Sequence, residues 1–271
     1  MAGKETRMAR LFNGTENVVI IAADHGLFDG PIPGMVDIKG TLGKIDPSVD
    51  AVLLSPGMVS RSTKLFGRKG APLAVMRLNW SSHFCFEWGY KEGGACQAVS
   101  AREAVRMGAD IVLVCLTLRT PSEGLDVRNV EVFCRLREEA HSLGLPVIGE
   151  YFPPDVGALS ATELHDQIRN GCRILAELGA DCIKTFYTED FTDVVEGCPI
   201  PIFGLGAEKL PTQLDALRLA GREIADGARG VVFGRNAIQV PDPPAFQRAL
   251  LKVVKAGMSP GAAAAEERLE D

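Results

Sequence analysis

Lys184 stands inside "DCIKTF", a run that otherwise reads as a buried strand. Lysine is among the residues least often fully buried unless something pairs with it or uses it. Two readings fit the position. The side chain can snorkel from a strand end to solvent or pair with a structural carboxylate. Alternatively it is an amine nucleophile: an apolar interior favours the neutral amine, which attacks a ketone to form a Schiff base. The iminium then acts as an electron sink for carbon–carbon cleavage, and that chemistry needs an acid/base. Asp24 closes an apolar run within "AADHG", where it either caps a turn or faces the lysine, holding its ammonium or moving protons to and from a substrate oxygen. Glu150 and Tyr151 end another such run, "PVIGEY". A buried glutamate is costly without a partner, and side chains alternate along a strand, so Glu150 and Tyr151 cannot both face the same interior.

Two glycine-rich turns are candidates for a phosphate. Gly204 and Gly206 lie in "GLG", and Gly234 and Arg235 in "GRN", each directly after an apolar run. Glycine lets backbone N–H groups approach an anion, and guanidinium matches phosphate geometry, although tight turns alone would explain the glycines. The aromatic segment "NWSSHFCFEWGY" reads as a lid or, slightly preferred, a subunit contact. His25, His83, His141 and His165 show no ligand spacing, and His141 and His165 fall on helices expected to be solvated outside, so no metal is expected.

These residues must be positioned by elements, and the elements repeat. Apolar runs occur at 18–24, 51–55, 73–78, 111–116, 146–151, 181–186, 200–204 and 230–234. They are nearly continuous in apolarity, as strands buried on both faces of a parallel sheet should be. Amphipathic segments at 100–107, 126–144, 160–179 and 211–226 lie between the later runs. Ser160 with Glu163 forms a capping box, and Gly144 and Gly179 sit at helix ends. "RMGAD", "ELGAD" and "DGARG" each precede a run, the mark of a repeated unit. About eight such units with no linker composition between them predict a single (β/α)8 TIM barrel, an α/β fold, over the doubly wound alternative. In a barrel the ends of the strands named above converge on one rim. Residues 257–271 read as a short helix or a frayed tail carrying no site.

Composition sets outer bounds. The 271 residues are 46% hydrophobic and 24% charged, enough for a sizeable core. A net charge of −6 and a pI near 5.4 argue against nucleic acid and anionic membrane as partners. Seven scattered cysteines without a Cys-x-x-Cys pair fit free thiols in a reducing compartment. No apolar run approaches the roughly 18 residues of a membrane span, and the basic amino end has no signal-type apolar core. A cytoplasmic protein is expected.

"AADHGLFDGPIPGMVD", "GADCIKTFYTED", "CPIPIFGLGAEK" and "GARGVVFGRNAIQ", in this order, resemble the archaeal-type class I fructose-bisphosphate aldolase family. That family includes aminodideoxyheptulosonate synthase and the phospho-autoinducer-2 thiolase. The resemblance covers nearly the whole chain. It implies a (β/α)8 barrel, a ring-shaped homo-oligomer and a Schiff-base lysine that carries onto Lys184; no cofactor is expected. The family's Asp-His-Gly aspartate carries onto Asp24, and its phosphate-binding Gly-Arg-Asn onto Gly234, Arg235 and Asn236. Three departures stand out. The family's Tyr-Pro-Arg-Gly at the fifth strand becomes Phe152-Pro153-Pro154-Asp155, which leaves Glu150, of the same strand parity, favoured over Tyr151 as acid/base. Leu205-Gly206-Ala207-Glu208 replaces an Ala-Gly-Gly-Lys-like turn, and "CLTLRTPSEG" replaces a shorter loop. The resulting expectation is a Schiff-base lyase or transferase acting on a small, phosphorylated keto-sugar or related ketone. A thiolase-type acyl transfer to coenzyme A and a non-catalytic sugar-phosphate-binding barrel are the alternatives.

Overall fold

Eight apolar runs become eight parallel strands in a computed structural model that describes residues 2–270. They are β1 (Val18–Ala22), β2 (Ala51–Leu54), β3 (Leu73–Arg77), β4 (Ile111–Leu116), β5 (Val147–Tyr151), β6 (Cys182–Phe186), β7 (Ile202–Leu205) and β8 (Gly230–Phe233). Each pairs with its neighbours in chain order and β8 closes on β1, so the sheet has no edge. A short antiparallel hairpin, Asn79–Ser81 with Ala95–Gln97, follows β3. Helices cover the barrel, among them Glu123–Ser142, Ala161–Glu177, Gln213–Ala225 and Pro243–Ala256. The expected capping box at Ser160 and Glu163 starts the second of these.

Strand alternation sorts the core into two layers. Val18, Ile20, Leu53, Val75, Leu113, Ile148, Cys182, Phe203 and Val232 fill the barrel interior. Residues of the other parity, such as Val19, Val52, Val114, Val147 and Ile183, pack against the helices. The amino-terminal segment is the helix Ala2–Phe12. Its Leu11, Met8 and Phe12 pack on the interior layer, closing the end of the barrel where the strands begin.

The aspartate of the repeated "GAD" phrase has a mechanical role. Asp181 N–H donates to Val147 O while Asp181 Oδ2 accepts from Val147 N–H. Asp110 clips Ala74 the same way, and Asp50 clips Val19. Each clip satisfies a backbone donor at a strand start that the ladder leaves free.

One expectation is narrowed and one pair of alternatives is settled. His141 and His165 are only partly exposed: His141 Nε2 lies 2.9 Å from Asp181 Oδ2, and His165 bonds Thr188 and approaches Asp193. Asp181 stands just before β6, and Thr188 and Asp193 follow it, so part of each outer helix face is covered by the β6 unit. The terminal segment is a helix, Pro260–Glu266, capped by Ser259 and tied to its neighbour by Lys252 and Arg248 pairing with Glu267.

Candidate active site

Inward parity carries one charged residue past the apolar layers on each of four strands or their ends: Asp24 after β1, Arg77 on β3, Glu150 on β5 and Lys184 on β6. Glu150 and Lys184 are direct register partners, so their side chains leave the sheet side by side. Lys184 Nζ lies 2.5 Å from Glu150 Oε1. Arg77 donates from Nε to Asp24 Oδ2 and from Nη1 to Glu150 Oε2, both at 2.6 Å. The rings of Phe28 and Phe84, themselves 4.6 Å apart, lie together against the guanidinium at 5.1 and 5.0 Å. Asp24, Arg77, Glu150 and Lys184 thus form a buried chain of alternating sign and zero formal net charge, with Glu150 only 1% and Lys184 7% exposed.

This arrangement changes the expected environment of the lysine. Nζ does not lie among apolar walls; it is ion-paired, and its partner is Glu150 rather than Asp24. Burial works to raise both carboxyls, but the charges of Arg77 and Lys184 outweigh it. Asp24 is held down at about 2, and Glu150 is held below the ordinary glutamate range. Both are carboxylates at neutral pH. Burial holds two histidines neutral: His25 is lowered to about 4 and His83 to about 3.

The tetrad forms the floor of a cavity of about 810 Å³ at the carboxyl ends of the strands, the end at which this fold places its chemistry. Its walls include Phe28, His83, Phe84, Phe152 and Phe186, and its β7–β8 side includes Gly206, Lys209, Gly234 and Arg235. The aromatic segment after β3 is therefore divided. His83 and Phe84 are buried in the wall, His83 bonding Ser81 and Thr117, while Phe86, Trp88 and Tyr90 are exposed.

Not every candidate residue faces this cavity. Tyr151 points outward: its ring fills the place where a Cβ on Gly171 would be, 2.3 Å away, and burial pushes its hydroxyl up. Gly204 also has outward parity, and a side chain there would collide with the Glu223 carboxyl at 2.3 Å. Its glycine makes room for Glu223, not for a phosphate. Asn236 is 2% exposed and spends its amide on the β7 turn, donating to Gly206 O and Glu208 O and accepting from Leu210 N–H. It shapes the turn, whereas Gly206, Gly234 and Arg235 line the cavity. At Gly234 the close neighbour is His25, whose Cε1 would lie 2.3 Å from an added Cβ.

Sequence reasoning missed Arg77. The signal was present in "LAVMRL", an arginine within an apolar run, of the same kind that singled out Lys184. His83 was hidden among the aromatic residues around it.

A closed (β/α)8 barrel with a buried lysine and carboxylates at its strand ends is the framework of a barrel aldolase, and comparison with known proteins agrees. Residues 18–240 match the family model of DeoC/LacD family aldolases. The chain belongs to that family. It is 30% identical over 261 residues to an uncharacterised aldolase of Saccharolobus solfataricus, covering 94% of this chain and 95% of that one. It is 29% identical over 259 residues to the 3-hydroxy-5-phosphonooxypentane-2,4-dione thiolase of an Enterobacter species, covering 95% and 83%. An archaeal fructose-1,6-bisphosphate aldolase, solved with its catalytic lysine covalently bound to the carbinolamine intermediate, superposes with a TM-score of 0.76 at 25% identity, covering 92% of this chain and 98% of that one.

Proposed function

We propose that the protein is a class I aldolase in which Lys184 forms a Schiff base with the ketone of a small phosphorylated keto compound. The observation that carries this reading is the position of Lys184 Nζ on the cavity floor, 2.5 Å from the Glu150 carboxylate. The carbinolamine captured on the lysine of the archaeal relative supports it. Lys184 attacks as the neutral amine after passing its proton across the short contact to Glu150. The same carboxyl returns a proton to the carbinolamine oxygen, water leaves, and an iminium remains. In the cleavage direction the substrate hydroxyl gives its proton to the Glu150 carboxylate as the carbon–carbon bond breaks, and the bond's electron pair flows into the iminium to give an enamine. Protonation of the enamine and hydrolysis then restore Lys184. Arg77 keeps Asp24 and Glu150 ionised and aimed. Arg235, with Lys209 nearby on the β7–β8 side, supplies cationic partners for a phosphate.

Borohydride reduction in the presence of dihydroxyacetone phosphate and other keto phosphates tests the mechanism. The expected result is a mass adduct on the peptide containing Lys184, absent in Lys184→Ala. No adduct with any ketone in the panel would sink the covalent mechanism. A thiolase reading is supported by the 29% identity to the dione thiolase and by Phe152 at the place of the aldolase tyrosine. A product that forms only when coenzyme A is added would favour it.

A further inference from the structure

The cavity has two unlike sides. Opposite the cationic β7–β8 side stands a continuous wall of phenyl rings from four different strand ends. Phe28 lies 4.6 Å from Phe84, Phe84 4.5 Å from Phe152, and Phe152 4.7 Å from Phe186, with Phe86 6.2 Å from Phe152 at the outer rim. All five line the cavity. Strand parity places two of them directly above the reacting groups: Phe152 is two residues beyond Glu150, and Phe186 two beyond Lys184. A wall that served only to cover the Arg77 guanidinium would end at Phe28 and Phe84. This one continues along the cavity to the β6 end that carries the lysine.

The consequence for the substrate follows from hydrogen bonding. A polyhydroxylated chain lying against these rings would turn its hydroxyls toward ring carbons and give up water there, since the polar groups on this side, Glu87, Tyr90, Lys91 and Asp155, come from the loops beyond the strand ends. His83, a buried polar side chain set among the rings, is already bonded to Ser81 and Thr117 and is held neutral by burial. An aryl group meets the opposite situation: edge-to-face and offset contacts on several rings, in a site that desolvates both partners. The cavity volume of about 810 Å³ accommodates a ketone phosphate together with a second, ring-bearing fragment.

We propose that the aldehyde half of the substrate is an aromatic or arylalkyl aldehyde rather than a polyhydroxy aldehyde, the ketone half lying on the β7–β8 side. This rests on the Schiff-base reading above. In the synthetic direction the enamine on Lys184 attacks the aldehyde carbon. The new carbon–carbon bond takes the enamine electron pair, the carbonyl pair moves to oxygen, and that oxygen takes one proton. Water then hydrolyses the iminium and releases the aryl hydroxyketone, with no oxidant or reductant involved.

The test pairs turnover with binding. With dihydroxyacetone phosphate as ketone, kcat/KM for phenylacetaldehyde is expected to exceed that for D-glyceraldehyde 3-phosphate at least about tenfold. Binding of 2-phenylethanol, measured by calorimetry on Lys184→Ala, needs no chemistry. It is expected to weaken about tenfold when Phe152→Leu, or Phe86→Ala at the 55% exposed rim, is added to Lys184→Ala. If no ketone can be trapped on Lys184 yet 2-phenylethanol binds and responds to both substitutions, the covalent mechanism fails and the aromatic site stands. If glyceraldehyde 3-phosphate is turned over as well as phenylacetaldehyde, or 2-phenylethanol binds no better than glycerol, the aromatic-aldehyde proposal is overturned, and the wall is a water-excluding seal.

Discussion

Arg77 bridges the two carboxylates that the site depends on, and its burial makes that bridge costly to remove. Arg77→Met would leave Asp24 and Glu150 buried without their shared cation, a loss of about 3–5 kcal/mol expected as a lower urea midpoint at pH 8. Arg77→Lys keeps the charge but lacks the fork that reaches both carboxylates, so an intermediate loss is expected. The deficit should shrink toward pH 4, because without the cation burial raises the two carboxyls and the folded variant then neutralises them by taking up protons, while the wild type's stay ionised. Unchanged stability of Arg77→Met at pH 8 would show that the tetrad is not held as described. The same residues show how far types and spacing could be read. Lys184, Asp24 and Glu150 were legible because a charge inside an apolar run demands a reason, and Arg77 was legible by the same rule but passed over. Gly204 and Asn236 were not, because a glycine or an amide beside a turn looks alike whether it meets a ligand, a Glu223 side chain or the turn's own backbone.

At the scale of elements, strand order followed from eight apolar runs, but what holds adjacent strands in register did not. The "GAD" repeat was visible as punctuation. That its aspartate bonds an N–H at the start of the preceding strand depends on a register no single sequence displays. Asp181 carries the largest load, since Lys4 and His141 also converge on it and draw its carboxyl below the ordinary range against the effect of burial. Asp181→Ala should cost about 1–3 kcal/mol by leaving the Val147 N–H without its acceptor. Asp181→Asn, which keeps one acceptor oxygen, should cost less. Urea unfolding of the two variants beside wild type checks the ordering, and equal losses would mean that charge, not the clip, is what matters. The amino-terminal helix escaped the sequence reading for a related reason. Its apolar residues are few, and only the open end of a barrel gives Met8, Leu11 and Phe12 something to cover.

Across the whole molecule, buried acids divide into two groups that act on stability in opposite directions. Asp24, Glu150 and Asp181 are held below their unfolded values, so their contribution is present above about pH 4 and is lost as pH falls through the folded values. Glu223 behaves in the reverse sense. It is 0% exposed, both its oxygens are without a hydrogen-bond partner, and burial raises it well above the ordinary glutamate value, with Arg222 opposing only in part. The folded protein therefore holds this proton where the unfolded chain has lost it. Glu223's contribution is complete below the unfolded value of about 4.3 and declines as pH rises from there through the folded value. Glu223→Gln keeps the shape and removes the titration. The variant should match the wild type's pH profile near pH 4 and gain on it by about 1 kcal/mol or more between pH 5 and 8, measured by urea unfolding at each pH. Parallel profiles over that range would show that Glu223 does not retain its proton. With a net charge of −6 adding self-repulsion as pH rises, stability is expected to peak on the acid side of neutrality. The tetrad sets the acid limit of that range, and Glu223, in the layer behind β7, sets the slope above it.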